Sequence, residues 1–236
     1  MQLFYHPHSS ETSKEITFDK EESRHIGKVL RKKEGDVLDI TNGEGYFFKA
    51  ELTLVTPKKC IAHILETKKE APLPYHLHIA IAPTKSNDRF ETFLEKATEI
   101  GITEITPIIC DHSERKTIKP ERYEKIIQSA MKQSLKAYLP KLNKACSFKE
   151  FLQQSHEESL KCIAHCEETD KKSFKSVLEK QQSVLVLIGP EGDFSPEEIN
   201  LAKMNGFIPV TLGESRLRTE TAAVVATHSV AFVNEF

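Results

Sequence analysis

The sequence predicts an α/β domain with a mostly parallel sheet, preceded by a small β-barrel domain. Residues 1–66 contain several short segments rich in β-branched and aromatic residues, which is typical of strands. From His76 onward, apolar strand-like segments alternate with helical patterns, as in parallel sheets that helices cover on both faces. The charged, proline-containing segment 66–74 predicts a linker. We therefore predict two domains, at residues 1–70 and 74–236.

The first domain is predicted to consist of short strands and one helix. The helix is expected near Glu21–Leu30. Asn42-Gly43 predicts a hairpin turn, because these residue types tolerate the positive φ that a tight turn needs. Many short strands in such a short segment favour a small barrel. The predicted strands are 3–6, 15–18, 37–41, 46–55 and 60–65.

The second domain is predicted to alternate strands with helices. Ser195 begins an S-x-x-E capping box with proline in the first turn, and Gly101 is placed as the end of a helix. The predicted strands are 76–84, 104–110, 160–166, 183–189 and 207–213, and the predicted helices are 86–100, 120–138, 170–180, 195–206 and one that begins at 219 or 220.

Charge is balanced over the chain but unevenly placed along it. The formal net charge is only −2, so a nucleic-acid partner has to be argued from position. Residues 24–33 contain five lysines and arginines, residues 125–149 contain six lysines, and neither stretch contains an acid. Each stretch alone is most simply a solvated helix face, and the presence of two of them weakens that interpretation somewhat.

Cysteine usage and hydropathy exclude several classes of protein. Five cysteines in a chain of 236 residues do not suggest a disulfide framework, so we expect reduced thiols and a cytoplasmic protein. Cys162, His165 and Cys166 form a C-x-x-H-C cluster without a second ligand pair, and we predict no metal. We expect no signal peptide, because MQLFYHPHSS is polar and carries no leading positive charge, and no membrane span, because no apolar run approaches about 20 residues.

Glycines follow two predicted strands that are consecutive in the chain. Gly189 and Gly192 follow one strand, and Gly213 follows the next. Parallel sheets bind ligands at the carboxyl ends of their strands, although either glycine segment alone could be a tight turn. The dinucleotide-binding, P-loop and hydrolase motifs are missing from the sequence. We therefore predict a ligand that is held mainly by loop backbone.

Two C-terminal motifs carry a family resemblance. IGPEGDFSPEEI followed by LGESRLRTETAA resembles the SPOUT superfamily of methyltransferases, whose chain forms a trefoil knot. Within it, the chain is most similar to the RsmE type, which methylates N3 of one uridine in 16S (small-subunit) ribosomal RNA. KSNDRFETFLEKATEIGITEITP and RHIGKVLRKKEGDVLDITNGEG extend the likeness to the rest of the chain. The resemblance implies a SPOUT trefoil-knot domain after a PUA-like barrel.

The resemblance also implies site residues. S-adenosyl-L-methionine would lie in the knot, its adenine held by loop backbone. The implied cofactor-binding residues are Leu187, Ile188, Gly189, Gly192, Leu212, Gly213, Leu217, Arg218, Thr219, Thr221 and Ala222. The implied catalytic residues are Arg218, Lys85 and Arg89, acting on the charge that develops on uracil. The implied RNA-binding residues are Arg24, Arg31, Lys32, Lys85, Arg89, Gln133 and Ser134.

The resemblance also leads to expectations about the oligomeric state, about Glu220 and about departures from the family pattern. Such enzymes are homodimers that pack the last helix against the partner, although that apolar helix could equally be a buried core helix. Glu220 could act as a base, but a structural role is favoured. Lys132 and Lys136 replace a glutamate and an arginine of the family's E-Q-S-x-R stretch, and the N-terminal MQLFY lacks the family's arginine.

Two other functions stay open on the sequence alone. One is a SPOUT methyltransferase that acts on a ribose 2′-hydroxyl or another base. The second is a non-catalytic RNA-binding or ribosome-assembly factor, which the intact GPEG and LRTETA motifs disfavour.

Overall fold

The computed structural model describes residues 2–167 and 170–235, which form two compact units. Unit 1 comprises residues 2–72 together with 131–139. Unit 2 comprises residues 73–130 and the described residues from 140 onward. Among the described residues, no helix has the length and apolar character that crossing a membrane requires.

Unit 1 is built on a five-stranded sheet in the order β1-β3-β4-β5-β2. Only the β1–β3 pair is parallel, and register shifts in the β4–β5 pair mark bulges, which bend a strand and let the sheet curl. The strands are β1 (Leu3–Tyr5), β2 (Glu15–Phe18), β3 (Val37–Thr41), β4 (Tyr46–Val55) and β5 (Cys60–Lys69). Alternate apolar residues of these strands pack into one core with Ile26.

One helical segment of unit 1 contributes to that core. Helix α1 (Lys20–Arg24) begins where the Asp19 carboxylate accepts a hydrogen bond from the backbone N–H of Glu22. A π-helical turn, His25–Val29, follows directly and buries Ile26. The predicted helix near Glu21–Leu30 is therefore confirmed in position.

Residues 131–139 complete unit 1 from a distant part of the sequence. The N–H of Gly45 donates to the carbonyl of Ala137 at 2.9 Å, and the N–H of Leu139 donates to the carbonyl of Gly43 at 2.9 Å. Both glycines have positive φ, and a Cβ at Gly45 would collide with the Tyr138 hydroxyl. The turn predicted at Asn42-Gly43 is present, and it forms the surface on which residues 131–139 pack.

Unit 2 contains a parallel sheet in the order β11-β13-β10-β12-β6-β7-β8, with β9 paired to β7. The strands are β6 (His76–Ile81), β7 (Glu104–Ile109), β8 (Lys141–Leu142), β9 (Cys146–Ser147), β10 (Leu160–Ala164), β11 (Lys172–Ser173), β12 (Ser183–Ile188) and β13 (Ile208–Thr211). The helices are α2 (Asn87–Ile100), α3 (Pro120–Gln133, whose last residues belong to unit 1), α4 (Phe148–Leu152), α5 (Phe174–Val177), α6 (Pro196–Met204) and α7 (Thr219–Glu235).

The central strands of this sheet are buried, as their apolar sequences predict. Leu185 and Leu187 of β12 pack with Phe148, Phe151 and Phe194 in one apolar cluster. Helices α2 and α7 contact each other, and α7 contacts β12 and β6. The sheet is thereby covered by helices, and its strand ends remain available to loops.

The strands predicted at 76–84, 160–166 and 207–213 end earlier, at Ile81, Ala164 and Thr211, and three other predicted boundaries are wrong by a larger margin. Strand β5 continues to Lys69, into the predicted linker, because Lys69 pairs with Tyr46 of the long strand β4. The helix that begins at Pro120 ends at Gln133 rather than near Tyr138, and Leu135 adopts a φ of 55° that an α-helix cannot accommodate. The helix predicted over 170–180 is confined to Phe174–Val177.

Helix α4 escaped prediction because five residues are too few for a periodic pattern. Its sequence did contain a signal. Ser147 and Glu150 form a complete capping box, in which the Ser147 hydroxyl accepts from the Glu150 N–H.

Candidate functional site

A cavity of about 590 Å³ lies in unit 2 where β10, β12 and β13 end. Its wall includes the last residues of these strands, Ala164, Ile188 and Thr211. This is the edge at which a parallel sheet binds ligands. The predicted cofactor-binding residues on the wall are Ile188, Gly189, Leu212, Gly213, Leu217, Arg218, Thr219 and Ala222.

Three predicted cofactor-binding residues are not part of this wall. Leu187 is fully buried within β12, and Thr221 is exposed on α7. Gly192 faces His112, whose Nδ1 lies 3.1 Å from the Gly192 carbonyl oxygen. Cofactor contacts of these residues stay predictions.

Two glycines are required by the shape of the cavity wall. A Cβ at Gly189 would lie 3.0 Å from the Phe194 ring and 3.2 Å from its backbone nitrogen, so a side chain would push the loop open. Gly213 has a φ of 148°, which side chains disfavour. The loops after β12 and β13 can therefore bring their backbone to the cavity.

Thr219 joins two sides of the cavity. It is 5% exposed, and its Oγ1 donates to the carbonyl of Gly189 at 3.1 Å. This bond ties the first residue of α7 to the loop after β12. The two motifs of the sequence analysis thus lie side by side.

His165 is a wall residue to which the sequence analysis assigned no role. It is only 7% exposed, and neither ring nitrogen has a hydrogen-bond partner within the described ranges 2–167 and 170–235. Burial lowers the pKa of the imidazole, so the neutral ring is favoured. A buried polar ring without partners, facing a cavity, is suited to hydrogen-bond a ligand there.

The segment around His165 is braced from the neighbouring loop. The N–H of Cys166 donates to Oδ2 of Asp193 at 2.7 Å, and the Phe194 N–H donates to Oδ1 of the same carboxylate at 2.9 Å. Asp193 also has a φ of 64°. In the sequence, His165 is marked only by its place at the end of the predicted strand 160–166, and the position of that strand beside β12 is set by the order of the sheet.

The predicted catalytic residue Lys85 lies beside the cavity wall. Its N–H donates to Glu191, a wall residue, at 3.0 Å. Its ammonium is paired with Glu114 at 2.8 Å, and this hydrogen bond raises the pKa of Lys85. Arg115 donates to the carbonyl of Lys85 at 2.6 Å and fixes the backbone.

The predicted catalytic residue Arg89 faces Glu220. The Arg89 Nε lies 4.0 Å from Oε1 of Glu220, which is next to Thr219 in α7. Glu220 is 9% exposed, and its Oε2 has no hydrogen-bond partner in the part of the chain that the structure describes. This burial suits the structural role that was favoured for Glu220. Arg218, on the cavity wall itself, is exposed.

The other predicted RNA-binding residues belong to unit 1. Arg24 and Arg31 are exposed and Lys32 is half-buried. Gln133 is exposed, and Ser134 donates to the carbonyl of Met131 at 3.4 Å. Residues 131–139 are thereby grouped with the basic segment 24–33 within one unit.

Lys132, a departure from the family pattern, pairs with an acid of unit 1. Its Nζ lies 3.6 Å from Oε1 of Glu22. Part of the positive charge of residues 125–149 is therefore balanced within the protein.

Comparisons with known proteins agree with this geometry. A family model described as RNA methyltransferase domain matches residues 71–231, and one described as RNA methyltransferase PUA domain matches residues 18–65. Ribosomal RNA small subunit methyltransferase E of Buchnera aphidicola is 33% identical over 217 residues, which cover 89% of this chain and 85% of that protein.

Solved structures are similar over nearly the whole chain. A "probable rRNA-methyltransferase" from Porphyromonas gingivalis is 40% identical, with a TM-score of 0.91 and coverage of 100% of this chain and 99% of that one. Ribosomal RNA small subunit methyltransferase E from Neisseria gonorrhoeae, solved bound to S-adenosyl methionine, is 28% identical, with a TM-score of 0.86 and coverage of 99% and 98%.

These findings confirm the predicted fold class, an α/β methyltransferase domain with a mostly parallel sheet and an N-terminal PUA-like domain. Residues of both sequence motifs that carry the resemblance line one cavity. The chain belongs to the ribosomal RNA small subunit methyltransferase E family.

Proposed function

We propose that this protein transfers a methyl group from S-adenosyl-L-methionine to N3 of a uridine in 16S ribosomal RNA. The observation that carries the proposal is the cavity at the carboxyl ends of β10, β12 and β13, walled by both family motifs. Relatives at about 30% identity are small-subunit rRNA methyltransferases by name. When bound, the cofactor supplies an electrophilic methyl group.

The cavity fits such a cofactor on physical grounds. Its volume of about 590 Å³ lies within the roughly 300–1,000 Å³ typical of small-ligand sites. Gly189 and Gly213 leave backbone groups accessible, which suits recognition of an adenine edge by main-chain hydrogen bonds. His165 offers a buried polar ring that has no partner among the described residues. We propose that His165 contacts the cofactor.

The reaction requires that the proton on uracil N3 be lost as the methyl group arrives. A positive side chain near the base stabilises the anion that develops. Arg218 is the best placed of the proposed catalytic residues, because it is exposed and lies on the cavity wall. Lys85 and Arg89 are each paired with a carboxylate, so we propose that they orient the uracil base or the RNA backbone.

In this proposal, the domains predicted at 1–70 and 74–236 have separate roles. The first holds RNA through Arg24, Arg31 and Lys32, and the second carries the methyl-transfer site. Gln133 and Ser134 belong to unit 1, which supports an RNA-binding role for them.

We further propose that the protein acts in the cytoplasm as a homodimer, with α7 in the interface. Light scattering of the purified protein tests the dimer.

Two measurements test the function. Titration calorimetry with S-adenosyl-L-methionine should show one site per chain. Incubation with small ribosomal subunits and the cofactor, followed by mass spectrometry of nucleosides, should show 3-methyluridine. Detection of a 2′-O-methylated nucleoside instead would show that the target is a ribose hydroxyl and not uracil N3. RNA binding without cofactor binding would identify an assembly factor.

A further inference from the structure

A second cavity of unit 2, of about 730 Å³, lies at the amino ends of its strands. Its wall includes His76, Glu104, Lys141 and Ser183, the first residues of β6, β7, β8 and β12. Because these strands are parallel, the cavity is at the sheet edge opposite to the methyl-transfer site. It has no part in the proposed reaction.

Three potential metal ligands converge in this second cavity. The ligand atoms of His78, His156 and Glu158 all lie within 4.8 Å of one another. The His78 Nδ1 is 3.0 Å from Oε1 of Glu158. A tetrahedral zinc ion has ligand bonds of about 2.0–2.2 Å, so shifts on the order of 1 Å would close the three atoms around an ion.

Both imidazoles are held through their other nitrogen. The Nε2–H of His156 donates to the carbonyl of Phe151 at 2.7 Å, and the ring centroids of these residues are 4.4 Å apart. The His78 Nε2 lies 2.7 Å from Oγ1 of Thr106, which also accepts from Asn143 at 2.7 Å. Such outer contacts orient histidines that bind metals and leave Nδ1 for the ion.

We propose that His78, His156 and Glu158 form a binding site for a divalent transition-metal ion of the zinc class. Two imidazoles and one carboxylate suit such an ion better than they suit calcium or magnesium, which prefer oxygen ligands. Three protein ligands leave a fourth position, which faces the cavity and takes water or an anion. His78 is 4% exposed, so the site is anchored in the sheet.

His78 and Glu158 share a hydrogen bond that a bound ion would replace. Without metal, the Nδ1–H of His78 donates to Glu158. Metal binding at Nδ1 requires the other tautomer, in which the ring keeps its hydrogen on Nε2, facing Thr106. The hydrogen then moves from one ring nitrogen to the other, and the ring stays neutral.

The test uses the full chain without an affinity tag, treated with a chelator and then titrated with Co²⁺ and with Zn²⁺. We expect one equivalent to bind. Cobalt should give a visible ligand-field band without the near-ultraviolet band of thiolate ligation, since no cysteine is in the site. Failure of the wild-type chain to bind either ion would overturn the proposal.

Variants locate the site. His156→Gln and Glu158→Gln should each weaken Zn²⁺ binding by at least roughly tenfold. His63→Gln removes an exposed histidine of β5 and should leave the affinity unchanged. Binding of S-adenosyl-L-methionine, measured in parallel, reports that each variant is folded. Equal Zn²⁺ affinity in wild type, His156→Gln and Glu158→Gln would refute the assignment.

Discussion

The Thr219 hydroxyl donates to the carbonyl oxygen of Gly189 at 3.1 Å, and both residues lie on the wall of the cavity in unit 2. This bond connects residues thirty positions apart in the sequence. It makes the start of α7 and the loop after β12 a single surface. The geometry of the cavity therefore depends on a side chain that looks, in the sequence, like an ordinary helix start.

Replacing Thr219 with valine should weaken cofactor binding. Valine has a similar shape but no hydroxyl, so the buried carbonyl of Gly189 would lose its donor, at a cost of about 1–3 kcal/mol. Calorimetry with S-adenosyl-L-methionine and urea unfolding measure the two effects. Thr219→Ser keeps the hydroxyl and should bind more tightly than Thr219→Val. Equal affinities for the two variants would show that the bond is dispensable.

Arg218→Ala should reduce methyl transfer much more than it reduces stability. The side chain is exposed, so the free energy of unfolding should change by no more than about 0.5 kcal/mol. Loss of electrostatic stabilisation should lower kcat by roughly 100-fold. Lys175→Ala, an exposed lysine of α5 that is not part of the cavity wall, is the control and should retain most activity. A variant that is inactive because it is unfolded would argue against a catalytic role.

Cofactor should protect Cys166 from alkylation. Cys166 is exposed on the cavity wall, whereas Cys110 and Cys162 are buried. Burial raises the pKa of Cys162 to about 12, so its thiolate is scarce. Iodoacetamide labelling followed by peptide mass spectrometry should show a Cys166 signal that falls when S-adenosyl-L-methionine is added. An undiminished signal at saturating cofactor would place the ligand elsewhere.

His165 should make the protein less stable in mild acid. Burial lowers its pKa below the usual 6.5, so the unfolded chain binds a proton that the folded chain does not. The free energy of unfolding should therefore fall as the pH drops below about 6.5, until the folded-state pKa is passed. Urea unfolding at several pH values measures this slope. It should be shallower in His165→Gln, and an unchanged slope would contradict the assignment.

Charge reversal at Arg31 should weaken RNA binding. Arg31 is exposed in the basic segment of unit 1, and each lost phosphate contact lowers the salt slope of log affinity by roughly 0.7–0.9. Binding of Arg31→Glu to a small-subunit RNA fragment, measured over a range of salt concentrations, should show both effects. Lys59→Glu, an exposed lysine outside residues 24–33, is the control. Wild-type affinity and slope in Arg31→Glu would exclude this segment from the interface.

The sequence predicted the elements that depend on local chemistry. Glycines after buried strands marked the cavity, and the S-x-x-E box at Ser195 and Glu198 is present as predicted, with both hydrogen bonds formed. Apolar periodicity located every strand longer than two residues. These features could be predicted because their causes lie within a few neighbouring residues.

Features that depend on distant residues could not be predicted in this way. His165 became part of the cavity wall only because β10 lies between β12 and β13. His78 and Glu158 are separated by eighty positions, so no spacing pattern connects them. The early end of the helix that begins at Pro120 reflects the packing of residues 131–139 on the Gly43–Gly45 turn. Each outcome was decided by tertiary contacts, which override local propensity.

The late contribution of residues 131–139 to unit 1 has a consequence for biosynthesis. A ribosome makes chain at about 5–20 residues per second, and N-terminal domains usually begin to fold first. Here the carbonyl of Ala137 and the N–H of Leu139 form hydrogen bonds with the Gly43–Gly45 turn. Unit 1 therefore cannot finish folding until these residues have been synthesised. The nascent chain therefore has all five strands of the sheet but not the segment that packs on this turn while most of β6 to α3 is being translated. We expect a fragment that stops at residue 72 to be less resistant to proteolysis than unit 1 within the full chain.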